Sequence, residues 1–575
     1  MKITGGVRAG SNLFYSLEEF SVTEGSSAIF DSAVDVENIF ALITGSNISS
    51  FNGRLLVRGR ANFFLLNPNG IVFKENAYLD ADGSVIATTA NSIEFIDGVE
   101  LIASLIDSTS ILSASFPTRL RFSSGSGSIT VNGSGNQIKK DSPIRSVEFE
   151  QIPEGLFVKS GQTLGLVGDG LSFNGGVVTT KGGRVHLSSI KSGSVKIEQA
   201  ENGITLQELT ENEYRDLDFY QHSMIYADGS DSATISLTGL NINLLDGSFV
   251  LSQNRGQADA GLLKLRATET LTLSGKVSSV RSNIRSETFN QGKGANLEIS
   301  ARKTLLKNGG RIRSNSFGDG DGGEIGVNIS DSIQMSNSSI IATTFAPGNA
   351  GNIELSTKKL RLNAAGISSS TNGEGNGGAL SVNADLVEII GTASTDRASI
   401  ATTSFSTGDA GNLLLNANQL RVIDGASLSS SSFSSGNAGD MTVNVEGTIE
   451  VKGAGDDSYK TSNNSQSIIR SAVQSVPKRA RLALSLPDVP SGDSGNLTIN
   501  ASVLNVIEQG VVSVENQGTG NSGLLSINVE KLKVALSASI TAEGVTGSDG
   551  QIALNISDLE IDDSSSIIPE VQAFE

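Results

Sequence analysis

Few side chains in this 575-residue chain are of the types that make or break bonds. There is no cysteine, which excludes thiol nucleophiles, thiolate zinc, cysteine-ligated iron–sulfur clusters and disulfides. The two histidines, His186 and His222, are too few for a histidine-rich metal centre, and both read as ordinary surface or edge residues. Carboxylates gather at Asp319-Gly320-Asp321 with Glu324, and at Asp456-Asp457. A polysaccharide lyase or hydrolase needs converging carboxylates, or a carboxylate beside a base, on one exposed face. These acids sit in turn-like segments without a partner histidine or arginine motif, so they read as solvated turn acids. Asp319 and Asp321 match neither an EF-hand nor a nonapeptide calcium repeat. No catalytic residue, metal ligand or cofactor is assigned, and a non-enzymatic protein is expected.

The side chains whose spacing carries information are amides. Asn67-Pro68-Asn69-Gly70 is turn chemistry: proline sets φ at the second position, and Asn-Gly tolerates positive φ. Apolar runs flank it, Phe63 to Leu66 before and Ile71 to Phe73 after. The expectation is that Asn67 and Asn69 bond backbone groups of a neighbouring chain segment. A second set recurs at one offset along the carboxy-terminal half: Asn328, Asn383, Asn416, Asn444, Asn500, Asn528 and Asn555. Identical amides stacked about 4.8 Å apart can bond up the stack, so these are expected to form a structural ladder.

The ladder presupposes a repeat. Its anchors are Gly261, Ala295, Gly323, Gly351, Gly378, Gly411, Gly439, Gly495, Gly523 and Gly550. Successive spacings are 34, 28, 28, 27, 33, 28, 56, 28 and 27 residues, so the period is 28 with one double step. Positions two and four after each anchor are apolar, as in Ile325 and Val327 or Met441 and Val443, the alternation of a half-buried strand. A second alternating pair follows (Leu360 and Leu362; Leu420 and Val422), then a third short strand near Ile340, Ile400, Leu428 and Ile540, then a Gly/Asn/Asp turn. Three short strands and three turns describe one coil of a β-helix, which buries its inward rows only against the coils above and below. The anchor glycines are expected to supply positive φ. The double step implies an inserted loop around 453–491, with a basic run Lys478-Arg479-Ala480-Arg481.

The first 240 residues differ, for no 28-residue period is evident there and 11 of the 22 phenylalanines lie in residues 1–122. We place a soft boundary near Ala227–Leu237, with one domain at 1–240 and a repeat stalk at 241–575. The net charge of −19 disfavours nucleic acid, whose phosphates need a basic face. No apolar run approaches 18 residues, so no transmembrane helix is expected. The chain opens Met1-Lys2-Ile3-Thr4 without the apolar core of a signal peptide, which leaves a cytoplasmic protein or a truncated start as readings. Threonines at Ala342-Thr343-Thr344 and Ala401-Thr402-Thr403 suggest a flat Ser/Thr face able to bind glycans.

Asn67-Pro68-Asn69-Gly70-Ile71 matches the NPNGI motif of the filamentous haemagglutinin amino-terminal secretion (TPS) domain. Ile3-Thr4-Gly5-Gly6, Asn12-Leu13-Phe14-Tyr15-Ser16, Ile43-Thr44-Gly45, Asn76-Ala77-Tyr78-Leu79-Asp80 and Gly182-Gly183-Arg184-Val185 agree in order and spacing, so about residues 1–190 resemble that family. The resemblance implies an all-β, right-handed parallel β-helix with extra-helical strands capping its front. It implies a secreted or cell-surface exoprotein of two-partner secretion, recognised by a TpsB-type outer-membrane β-barrel transporter. It also implies a mature rod acting as a haemagglutinin-like adhesin on host-cell or matrix glycans or proteins. A β-helical polysaccharide-binding or polysaccharide-degrading protein is the alternative.

Overall fold

The computed structural model describes residues 1–105, 110–151, 154–229, 233–277, 279–391, 397–455, 466–548 and 550–571. It is a nearly all-β chain built of parallel strand stacks, a β-helix, and it divides into two compact units, Met1–Ile284 and Arg285–Glu575. The sequence change near 240 and this division at 284 are different positions.

In the second unit each coil contributes two strands. A long strand such as Ile353–Asn363 holds the first and second apolar runs together, and a six-residue strand such as Gly366–Thr371 holds the third. In the long strand Ile353 and Leu355 are buried, then the phase slips and Leu360 and Leu362 are buried. That slip by one residue is a bend. Register shifts fall at the same place in several neighbouring pairs, between Asn328 and Ser332, Ala417 and Leu420, and Val445 and Thr448. A side-chain period of two cannot keep apolar residues inward around a corner without it. From Asn296–Lys307 and Arg311–Ser316 onward the successive pairs in the two stacks are parallel, for example Ile353–Asn363 on Leu380–Ile390 and Gly366–Thr371 on Ser399–Ser404.

The anchor glycines act through space, not through φ. None of them has a left-handed backbone. A Cβ on Gly351 would lie 1.9 Å from the Gly323 carbonyl oxygen, and one on Gly411 2.0 Å from that of Gly378. A second glycine column does the same, with a Cβ on Gly375 falling 2.2 Å from Gly348 O and one on Gly408 2.1 Å from Gly375 O. The coils approach so closely at these corners that only a hydrogen fits.

The double step is not one excursion. Residues 453–491 include the strand Ile468–Val473, which pairs in register with Ser427–Ser432 on one side and Val511–Asn516 on the other. The extra length is thus split between two corners of one coil. The second extension carries a helix, Lys478–Leu484, none of whose residues is buried. Asp456 and Asp457 lie outside the described residues.

The first unit stacks strands of the same kind: Asn12–Leu17 on Asn38–Ile43, then Asn62–Leu66, Val85–Thr88 and Thr163–Gly168. Antiparallel strands lie outside this helix. Val7–Ala9 folds back on Asn12–Phe14. Ser92–Phe95 pairs with Glu100–Ile102 and Pro117–Phe122, which joins the far half of Arg184–Gln199 and through it Ile204–Glu208. Their apolar side chains Ile93, Phe95, Leu120, Phe122 and Val195 share one core with Phe14, Phe40 and Phe64. The aromatic-rich front therefore has a second layer to bury, while the repeat unit stacks aliphatic rows together with short phenylalanine stacks, Phe289–Phe317–Phe345 and Phe405–Phe433.

Candidate functional site

The Asn-Pro-Asn-Gly turn is closed by Gly70 N–H donating to Asn67 O at 3.1 Å, with Gly70 at φ +129°. Asn67 is fully buried. Its Nδ2 donates to Asn47 O at 3.0 Å and Ser49 Oγ at 2.9 Å, and its Oδ1 accepts from the Asn69 backbone N–H and from Asn69 Nδ2. Asn69 Nδ2 also reaches Gly45 O at 2.8 Å. The two amides therefore bind backbone oxygens of the preceding coil. The following coil closes over the other side: Gly127 N–H donates to Pro68 O at 2.6 Å, and Ile71 N–H to Ser128 O at 3.0 Å. Ile71 is fully buried. Both amide side chains of this turn are bonded within the protein, so its role within the chain is to fix register between coils.

Beside it runs an amide ladder that sequence reasoning missed. Asn62 Nδ2 donates to Asn38 Oδ1 at 3.0 Å, Asn38 Nδ2 to Asn12 Oδ1 at 2.9 Å, and Asn12 Nδ2 to the carbonyls of Ser113 and Ser115. Two residues along, Phe14, Phe40 and Phe64 stack at 4.8 and 4.9 Å with nearly parallel rings. The signal was present as Asn-apolar-Phe at 12, 38 and 62, but its steps of 26 and 24 residues hide it from a search at 28.

His186 is not a surface residue. It is buried, with Nε2 3.1 Å from Glu208 Oε1. Burial pushes the Glu208 carboxyl up, but the adjacent His186 outweighs it and brings the group down from 4.5 to about 2. His222 sits in a turn at φ +61°, and burial pushes its pKa down against the opposing charge of Asp246.

In the repeat unit the amides at the recurring offset fall into two groups. Asn416 donates to Asn383 at 2.7 Å, Asn444 to Asn416 at 2.9 Å, Asn500 to Asn444 at 2.8 Å and Asn528 to Asn500 at 2.9 Å. Asn328 is separated from this run by Ser356, and Asn555 pairs with Asn528 in backbone register only. The five bonded amides line the floor of an open groove of about 710 Å³ along the bend of the long strands. Asp385 and Glu446 stand at its edge, and among the described residues no basic or aromatic side chain lines it.

Two of the turn acids, Asp321 and Glu324, have structural partners, while Asp319 is exposed. Asp321 Oδ1 accepts the Asn349 N–H at 2.8 Å, Asn349 Oδ1 that of Asn376, and Asn376 Oδ1 that of Asp409. A parallel series links Asn412, Asp440, Asn496 and Leu524. Glu324 pairs with Lys293 at 2.8 Å. Asp and Asn interchange along both series because each supplies the same acceptor oxygen, which disguised them in the sequence. The expected flat Ser/Thr face is mostly turned inward: Thr344 and Thr402 are fully buried, Thr343 is 5 % exposed and bonded to Ser370, and only Thr403 is half-exposed. No cluster of three or more potential metal ligands occurs among the described residues, and none of their helices is long and apolar enough to cross a membrane.

A parallel β-helix whose amino-terminal coils carry an antiparallel strand layer and an inter-coil Asn-Pro-Asn-Gly clamp defines a solenoid with a specialised front module. The family model of the TPS secretion domain matches residues 1–237. The front of the chain is thus similar to the secretion domain of two-partner secretion exoproteins. Among solved structures, the HMW1 secretion domain from Haemophilus influenzae is similar at 13% identity, covering 97% of this chain and 97% of that one, with a TM-score of 0.24. A score that low carries no argument. No curated protein matches the chain.

Proposed function

We propose that the front module is recognised by a TpsB-type outer-membrane β-barrel transporter, and that the repeat unit is carried out behind it to act as an adhesin at the cell surface or in the medium. The TPS family match over residues 1–237 carries the export reading. The clamp at Asn67 and Asn69 supports a specific role: it joins three successive coils, so it can start coil-by-coil folding as the chain emerges. A chain without cysteine forms no disulfide that would block passage in an extended state. The test is co-expression with a matched transporter, the chain carrying a fused secretory signal peptide that delivers it to the periplasm. Wild type should reach the medium, and Asn67→Ala/Asn69→Ala should remain behind at an equal synthesis level. Equal export of both would refute the role of the clamp, and no export of either would refute the transporter reading.

A second reading, polysaccharide binding by the repeat unit, is favoured by the open polar groove along Asn383 to Asn528. Hydrolysis or elimination gains no such support, because Asp321 and Glu324 are engaged in turn bonds and an ion pair.

A further inference from the structure

We propose that the groove over the amide ladder binds a neutral, extended polysaccharide lying parallel to the stack of coils. The proposal rests on the surface-binding reading of the repeat unit and places that binding at one site. The argument starts from valence. A carboxamide offers two N–H donors and two acceptor lone pairs. At Asn416, Asn444 and Asn500 one donor and one lone pair are used along the ladder, always in the same direction. Each of these rungs therefore keeps one donor and one acceptor for the groove, repeated at the coil spacing of about 4.8 Å.

A β-1,4-linked glycan ribbon advances by slightly more than one coil spacing per pyranose, with successive sugars turned over, and each sugar hydroxyl both donates and accepts. A regular row of paired donors and acceptors suits a regular row of hydroxyls. Charge then selects among glycans. Asp385 and Glu446 edge the groove without a neighbouring lysine or arginine in its lining, so uronate or sulfate polymers are repelled. The absence of an aromatic lining leaves little stacking energy per sugar. Affinity must accumulate over several rungs, as in other multivalent contacts.

Binding of cellobiose, cellohexaose and hexagalacturonate to the full chain, followed by calorimetry, tests this. Cellohexaose should bind at least tenfold more tightly than cellobiose, and hexagalacturonate should not bind. Asn444→Ala/Asn500→Ala should weaken cellohexaose at least tenfold. Asp385→Lys/Glu446→Lys leaves every ladder bond in place and should admit hexagalacturonate, which keeps the test informative if the alanine pair does not fold. The proposal is overturned if cellohexaose does not bind at millimolar concentration, if a neutral peptide such as (Ser-Gly)5 binds in its place, or if neither variant changes selectivity. Failure here is separable from failure of the adhesin reading. Cell attachment that is unchanged in the ladder variant keeps an adhesin and removes the groove, whereas cellohexaose binding without cell attachment does the reverse.

Discussion

At the scale of single residues, buried polar groups decide the outcome because each is costly to leave unpaired. Asn67 and Asn69 between them satisfy the carbonyls of Asn47 and Gly45 and the hydroxyl of Ser49. Replacing both by alanine removes these bonds and orphans the buried Ser49 hydroxyl, a loss of about 1–3 kcal/mol for that buried group. The unfolding free energy of the front module should fall accordingly, by about 3 kcal/mol, with no change in the repeat unit as followed by hydrogen exchange. The His186–Glu208 pair sets an acid limit. Glu208 has a folded value of about 2 against 4.5 ordinarily, so its contribution to stability is fully present above pH 4.5 and is lost as pH falls towards about 2. That contribution is on the order of 3 kcal/mol. Thermal midpoints measured from neutral pH down to about 2 should drop in wild type, and Glu208→Gln, already destabilised at neutral pH, should show a shallower acid decline.

At the scale of elements, the coil corner is the tightest part of the fold. A Cβ at Gly411 meets the Gly378 carbonyl oxygen at 2.0 Å, whereas one at Gly326 meets nothing closer than 3.7 Å. Gly411→Ala should cost about 2–3 kcal/mol and raise local hydrogen exchange, while Gly326→Ala should be close to neutral. If the two variants proved equally stable, corner contact would not explain the glycine column. The antiparallel layer is the other element with an energetic role, since Ile93, Phe95, Leu120 and Phe122 cover the Phe14–Phe40–Phe64 stack. Phe95→Ala should cost about 3–5 kcal/mol, measured by denaturant titration of the full chain.

At the scale of the whole molecule, a solenoid unit is close to a sum of coils and their nearest-neighbour interfaces. Removing residues 351–377, one full period, brings Ala350 next to Gly378 and leaves the coil of Gly323 to meet that of Gly378 with the corner grammar intact. The β-sheet circular dichroism and a cooperative melt should survive. Removing only 351–363, which deletes the long strand and keeps the short one, should abolish cooperativity in the second unit. The net charge of −19 acts at this scale as well, keeping chains apart while they expose unfinished strand edges.

What could be read from the amino acids alone is what repeats or is local. Alternation around Ile353 and Leu355 announces a strand by itself, a 28-residue step announces stacking, and Asn67-Pro68-Asn69-Gly70 announces a turn because those residues carry their own φ preferences. The column of asparagines was visible because one amide recurs at one offset. What only the tertiary structure decided depends on where distant segments meet. The bend that joins two apolar runs into one strand is a one-residue phase slip whose direction in space the sequence does not record. The Asn12–Asn38–Asn62 ladder follows coils of unequal length, and the pairing of His186 with Glu208 depends on how the strand after residue 184 turns back at 204. The anchor glycines look the same whether they serve φ or proximity, and only the neighbouring coil, with its carbonyl 1.9 Å from the missing Cβ of Gly351, separates the two.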